Sequence, residues 1–395
     1  MKYVYVSPAL PEEVFEKLLG FGKGSPGQQA QKYNRLLAKG IVSLGRPLVM
    51  LSAPPVPPGS RRFKLVKQEP VTSGGVPYRF LKVLDVPVIK NLFTYVQAKK
   101  EIKRIKSETN DDLCVVCDLL TLSASLGALT AAKKLGLKSC GIVTDLPGYL
   151  SGKPSSSSYQ KLYNKAVALC KSFVLLTKQM AGALGVGVRP YTVIESISTP
   201  ALDEKESEPV YKTSSRYMFY AGGLEKAYGV EKLVKAFIDA NVPGTELVIC
   251  GNGSYRDELE SLAAENPGVK YIGVVKNSDV MELERRAAVL VNPRTSEGEF
   301  TAYSFPSKNI EYMSTGRPLL AYMLPGIPDE YRGCFITPAG ESMEALTECI
   351  KRVFAEDPGA LDELGRKAAE FAATQKSPAA QAAKLTDMIE KGGLQ

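Results

Sequence analysis

Histidine is absent from all 395 residues, and so is tryptophan. Without an imidazole the chain cannot run Ser-His-Asp hydrolysis, an HExxH zinc site or a histidine proton shuttle. Proton transfer must fall to Asp, Glu, Lys, Tyr, Cys or the substrate itself. The sequence also lacks an apolar run of about 18 residues, so no helix is expected to cross a bilayer. No secretory leader is legible, because the short apolar run after Met1-Lys2 soon meets Pro8, Pro11 and acidic residues. A cytoplasmic protein is expected, one that lies at most on the inner face of a membrane.

The seven cysteines, at 114, 117, 140, 170, 250, 334 and 349, are odd in number and mostly sit in apolar runs. They read as small buried hydrophobes in a reducing compartment. Cys114 and Cys117 form a CxxC, but a strand sends them to opposite faces and no second Cys or His pair completes a zinc site. No DxD-type carboxylate cluster is present either, so neither metal nor cofactor is expected.

What is present is ordinary for a folded protein, with 44% hydrophobic and 23% charged residues. The length allows two domains of roughly 150–200 residues. The net charge of +8 is concentrated, with Arg61, Arg62, Lys64 and Lys67 followed by Lys90, Lys99, Lys100, Lys103, Arg104 and Lys106. Segment 61–106 is either a solvated basic face or one that attracts an anionic membrane or phosphorylated acceptor. Nucleic acid is not expected, since no interleaved aromatic or RNA-binding motif accompanies the charges.

Strand-like runs alternate with helical patterns along the whole chain. Strands are predicted at 3–7, 48–52, 113–117, 139–144, 173–176 and 192–194, with helices over 28–40, 86–106, 124–135 and 161–170. A polar, aperiodic stretch at 197–215 reads as a linker. A second series follows, with strands at 216–221, 246–250, 270–273, 288–292 and 318–321 and helices between them. Such alternation implies βαβ units and parallel sheets. The expected architecture is α/β, two Rossmann-like parallel-sheet domains facing across a cleft. The boundaries are 1–196, 216–375 and a C-terminal helix in 376–395 that packs back on the first domain.

The densest chemical signal runs from Tyr303 to Gly316. Pro306 suits the first helical position and Gly316 the C-terminal stop. The helix then points the free N–H groups of Ser307 and Lys308 at whatever precedes it, an anion site to which the dipole adds about 0.3–1 kcal/mol. Lys308 adds a full charge. Glu311, one turn on, is placed to accept the hydroxyls of a ribose. The two clamps fit a nucleoside diphosphate; the competing reading is a surface helix with an ordinary Lys–Glu pair.

Four motifs within 217–331 together resemble the nucleotide-sugar domain of the GT-B glycosyltransferases, in particular the retaining family 4 with its sucrose synthase-like and mannosyltransferase-like members. They are Tyr220 to Val230 with its glycine turn, Val248 to Gly253 with a GxG turn, Val291 to Arg294, and Phe305 to Met313 followed by Gly316-Arg317-Pro318. Gly326 to Tyr331 extends the match. The resemblance implies transfer of a sugar from a nucleotide-diphosphate donor, UDP by family frequency, to a saccharide or lipid-linked acceptor, with retention and without metal. It places Gly222 and Gly223 against the diphosphate, Ser307 and Lys308 on phosphate and Glu311 on the ribose. Arg294 is a further phosphate or sugar contact, or a structural salt bridge.

Two departures stand out. The family's EX7E pair would put its first glutamate at 303, where this chain has Tyr303, leaving Glu297 or Glu299 to reach the sugar or to stay on the surface. The arginine often found after the first glycine is Gly223, so Lys308, with Lys226 as a candidate, carries the phosphate charge. In the N-terminal half, the loop containing Gly24 and Gly27 looks like the glycine-rich loop that approaches the diphosphate, or is a plain loop. Asp145 follows a strand end, where open α/β sheets bind ligands. It is either a loop or helix-cap aspartate or the candidate polar group at the reacting centre, in place of the histidine many relatives carry, with Asp118 second. Two rival readings remain: a nucleotide-sugar-binding partner protein without catalysis, and a GT-B UDP-sugar 2-epimerase, whose known members use histidine.

Overall fold

The computed structural model describes residues 1–19, 28–55, 65–84, 86, 89–148, 156–199 and 211–392. They form two compact units, one comprising 1–197 with 377–395 and the other 198–376.

In the first unit β1 (Lys2–Ser7) leads through α1 (Glu12–Leu19) and α2 (Gln28–Ser43) to β2 (Leu48–Ser52). Four short strands follow: β3 (Leu65–Val66), β4 (Val71–Ser73), β5 (Val76–Phe80) and β6 (Val83–Leu84). Then come α3 (Ile89–Ser107), β7 (Leu113–Asp118), α4 (Leu122–Lys134), β8 (Lys138–Val143), α5 (Ser157–Leu169), β9 (Ser172–Leu175), α6 (Met180–Ala183) and β10 (Tyr191–Val193). The main sheet has the order β10-β9-β8-β7-β1-β2-β5-β4, parallel except for the β4–β5 pair. Its central strands are covered on both faces, so they read as unbroken apolar runs; every residue of Leu113–Asp118 is buried.

The sequence reading assigned nothing between 53 and 85, yet β4 and β5 form a hairpin there. Its two-residue turn is Gly74-Gly75, with φ of +55° and +78°, a conformation glycine adopts without strain. Gly-Gly between β-prone residues was the available signal.

The second unit comprises β11 (Arg216–Gly223), α7 (Val230–Ala240), β12 (Thr245–Asn252), α8 (Arg256–Glu265), β13 (Val269–Tyr271), α9 (Asn277–Arg286) and β14 (Val289–Asn292). It continues through α10 (Ser307–Ser314), β15 (Leu319–Ala321), α11 (Met343–Ala355) and α12 (Pro358–Gln375). Its sheet is wholly parallel, in the order β13-β12-β11-β14-β15. Helices α7 and α11 close one face, where the rings of Phe237 and Phe354 meet edge-on at 6.4 Å.

The last helix, α13 (Pro378–Lys391), belongs to the first unit. Ser377 caps it by accepting from the Ala380 N–H, and Pro378 occupies its first turn. It seats on α2 at Gly40, where a Cβ would come within 2.0 Å of the Pro378 carbonyl oxygen. Glu390 then accepts from the Tyr3 hydroxyl at 2.7 Å and from Arg46 at 2.6 Å. All seven cysteines are buried and unpaired. Among the described residues no helix is long and apolar enough to cross a membrane.

Candidate active site

Strand β11 ends at Gly222-Gly223, beside the end of β14 and the start of α10. Pairing of β11 with β14 brings these segments together. The buried Tyr312 then locks α10 to β11: its hydroxyl accepts from the Ala221 N–H at 3.0 Å and donates to the Ala221 carbonyl at 3.2 Å. Asn292, the last residue of β14, donates to Asn309 Oδ1 of α10 at 2.6 Å. A pocket of about 200 Å3 lies between these elements, lined by Gly222, Gly223, Tyr228, Asn292, Arg294, Ser307 and Lys308 among others.

Gly222 and Gly223 present backbone to this space. A Cβ on Gly222 would sit 2.9 Å from the Tyr220 hydroxyl, and one on Gly223 would sit 3.0 Å from the Tyr228 ring. Behind them the β12 turn is built around the same strand end. A Cβ on Gly251, whose φ is +141°, would fall 1.8 Å from the Gly222 carbonyl oxygen. One on Gly253 would fall 2.6 Å from Leu224 backbone. The GxG turn thus seats Gly222 by close approach of two backbones.

Helix α10 begins at Ser307. Pro306 stands one place earlier than the sequence reading put it, at the cap position with φ −73° and ψ 95°, and no side chain caps the helix. Its first N–H groups are therefore open to a ligand in the pocket. Gly316, at φ +77°, lies just past the helix, where a left-handed residue stops it.

Two cations line the pocket, and they differ. Lys308 Nζ lies 3.5 Å from Glu284 and 3.6 Å from Glu311, so carboxylates already surround it. Arg294 has no carboxylate in ion-pairing range among the described residues. Its guanidinium lies 5.0 Å from the Phe300 ring centre and 5.8 Å from that of Tyr228, with a long contact of 3.5 Å to the Ser304 hydroxyl. Its Nε is buried without a hydrogen-bond partner. Burial holds its pKa below the usual arginine range. The salt bridge considered as an alternative for Arg294 is not found among the described residues.

The other second-unit candidates fall outside the pocket lining. Glu297 is exposed. Glu299 and Tyr303 bound a 3-10 turn, with Glu299 exposed and Tyr303 half-buried. Glu311 is half-buried beside Lys308. Lys226 is taken up elsewhere, 3.2 Å from Glu231 and 2.9 Å from Glu258. Among the described residues no group of three His, Cys, Asp or Glu side chains is placed to hold a metal ion.

In the first unit, Gly24 and Gly27 lie outside the described residues. Asp118 ends β7 and Asp145 follows β8, so neighbouring parallel strands deliver both carboxylates to one edge of the sheet. Asp118 is buried and accepts from Asn34 Nδ2 and from the Leu120 N–H, each at 3.0 Å. Asp145 is half-buried. Burial pushes both up to about 6, and the charge of Asp118 adds to the shift of Asp145.

Residues 215–356 match the family model described as glycosyl transferases group 1. Solved structures align over nearly the whole chain. Sucrose-phosphate synthase from Thermosynechococcus elongatus is 15% identical with a TM-score of 0.64, over 99% of both chains. HepE from Anabaena in complex with UDP is 14% identical with a TM-score of 0.62, over 99% of this chain and 100% of that one. A UDP-forming trehalose-phosphate synthase from Burkholderia xenovorans is 11% identical with a TM-score of 0.63, over all of both chains. No curated protein sequence matches significantly.

The chain has the GT-B fold.

Within the GT-B fold the matched segment holds every described residue of the second-unit pocket, from Tyr220 to Tyr312. Sequence reasoning found Gly222, Gly223, Arg294, Ser307 and Lys308, but missed Asn292, Tyr228 and Tyr312 as parts of the wall. Asn292 was the most legible of these, a polar residue closing an apolar strand at its C-terminal end. Glu284 gave no local signal, because α9 meets Lys308 only in the fold.

Proposed function

We infer that the chain is a glycosyltransferase that takes a nucleoside-diphosphate sugar in the second-unit pocket and transfers the sugar to an acceptor held by the first unit. One observation carries this: a half-buried guanidinium, Arg294, whose buried Nε is unpartnered and which has no carboxylate in range among the described residues, shares a pocket of about 200 Å3 with two glycine backbones and an uncapped helix N-terminus. Each of these favours an anion, and together they suit a diphosphate. Glu311 then accepts from ribose hydroxyls. UDP is the first nucleotide to test, since one neighbour of the same fold is a UDP complex and another a UDP-forming synthase.

In the proposed step the anomeric carbon–phosphate oxygen bond breaks as an acceptor hydroxyl oxygen bonds to that carbon. Lys308, Arg294 and the α10 N-terminus stabilise the charge that grows on the leaving diphosphate. The acceptor proton passes to a phosphate oxygen or to Asp145. Retention and independence of metal belong to this proposal on the strength of the motif resemblance. So does a saccharide or lipid-linked acceptor. Incubating the chain with UDP-, GDP- and ADP-sugars and measuring released nucleoside diphosphate tests the donor site. Release should occur with one base and fall to background in Lys308→Ala and Glu311→Ala; undiminished release in either variant removes the site.

We extend the proposal to an anionic membrane surface. Leu65, Val86, Ile89 and Leu92 are all exposed, Leu92 by 65%, where the β3–β6 pair leads into α3. The exposed Lys100 and Lys103 lie further along the same helix. Apolar side chains beside basic ones support attachment to the inner face of a membrane from the cytoplasm.

A further inference from the structure

The second-unit pocket opens at the start of α10, and what holds that start lies outside the pocket. Helix α12 packs along α10. At the far end of α10 a Cβ on Gly365 of α12 would fall 2.1 Å from the Gly316 carbonyl oxygen, so two backbones touch there. At the near end the link runs through rings. Phe305 lines the pocket just before Pro306, and its ring centre lies 5.3 Å from that of Tyr331. Tyr331 is fully buried at the end of a 3-10 turn, Asp329–Tyr331, and meets Phe371 of α12 edge-on at 5.1 Å.

A buried cation ends this row. Lys376, the residue that closes α12, is 0% exposed. Its Nζ lies 4.7 Å from the Tyr331 ring centre and 5.4 Å from that of Phe371, and it pairs with Glu330, the neighbour of Tyr331. Its carbonyl accepts from the Ser198 N–H at 2.8 Å. The chain enters the second unit at Ser198 and leaves it after Lys376, so this residue stands where the two crossings meet. An apolar side chain of similar length would fill the space without taking an ammonium out of water. What the charge adds is direction. It attracts the face of Tyr331 and, through Glu330, grips the turn that carries that ring.

We propose that Lys376 is a positioning residue for the second-unit pocket: it holds Tyr331 against Phe305 and thereby sets where α10 begins and where its free N–H groups point. The effect on nucleotide binding rests on the transferase reading, whereas the effect on α10 does not.

The test is Lys376→Met in the full chain. The unfolding midpoint should hold, because Glu330 is exposed and water replaces the ammonium beside it. Hydrogen exchange is read first, without ligand. The amides of α10 from Asn309 onward, the first bonded to the Pro306 carbonyl at 2.9 Å, should exchange faster, while β11 and α7 keep their protection. Unchanged exchange in α10, or an equal rise across the whole second unit, overturns the proposal; the latter is what a merely structural lysine gives. Calorimetric titration with UDP follows. Lys376→Met should weaken binding about two- to thirtyfold, and the loss should shrink or vanish in a Phe305→Leu background, since the route runs through that ring. Wild-type affinity in Lys376→Met, or a full additive loss in the double variant, also overturns it. If the unaltered chain binds no UDP while α10 still responds to Lys376→Met, the donor reading fails and the positioning role stands.

Discussion

Replacing Arg294 with methionine should move stability and nucleotide affinity in opposite directions. The guanidinium is half-buried, its buried Nε makes no hydrogen bond among the described residues, and the rings of Phe300 and Tyr228 lie beside it. Methionine preserves most of the packing against those rings and removes the charge. Since no buried carboxylate is stranded by the change, the ligand-free chain should hold its unfolding midpoint or gain slightly. The bound state loses charge-assisted hydrogen bonds to phosphate, worth about 1.5–3 kcal/mol, which corresponds to roughly ten- to 150-fold in Kd. Thermal unfolding with and without UDP, together with calorimetric titration of UDP, measures both quantities. A structural arginine gives the converse pattern, a lowered midpoint with unchanged UDP affinity, and that result refutes the reasoning.

Three further outcomes are expected. Gly251→Ala should abolish UDP binding in a chain that still folds its first unit, because the new methyl collides with the Gly222 carbonyl; wild-type affinity shows that this turn has slack. Stability should carry a negative slope with pH from Asp118 and Asp145. Their folded pKa values near 6 lie above the unfolded ones, so the folded chain binds more protons between about pH 4 and 6 and loses stability as pH rises through that window. Chemical denaturation at several pH values should show the slope become less negative in Asp118→Asn, and an identical slope disproves the assignment. Liposomes containing anionic lipid should sediment the chain at low salt, and Leu92→Glu should reduce this; equal recovery with neutral liposomes removes the membrane surface.

The parallel strands were legible because burial on both faces makes them continuous apolar runs, as in Leu113 to Cys117. The α10 segment was legible because proline and glycine mark its ends. Even so, Pro306 is the cap and not the first helical residue, a distinction decided by one ψ angle that composition does not encode. The β4–β5 hairpin was passed over because its strands are short and lie at the sheet edge, where alternation weakens. The walls of the second-unit pocket were half legible. Gly222, Ser307 and Lys308 sit in dense local motifs, whereas Asn292 and Tyr312 acquire meaning only when β14 pairs with β11. The GxG turn could be recognised but not interpreted, since the reason for its glycines is the Gly222 carbonyl, which lies on another strand.

The contrast between the two cations suggests a division of labour in the donor pocket. Lys308 rests between Glu284 and Glu311, so a diphosphate gains its full charge only by drawing the ammonium away from at least one carboxylate. Among the described residues Arg294 has no such competitor, so its charge would be open to the first anion to enter. Arg294 would then contribute mainly to ground-state affinity. Lys308 would contribute more as charge accumulates on the leaving oxygen, when exchanging a carboxylate for a phosphate becomes most favourable. In the proposed complex Glu311 would link the two roles, because a ribose occupying its oxygens would weaken its hold on Lys308 and free that charge for the phosphate. On this proposal the missing glutamate at Tyr303 need not impair donor binding, since Arg294 and Lys308 line the pocket without it.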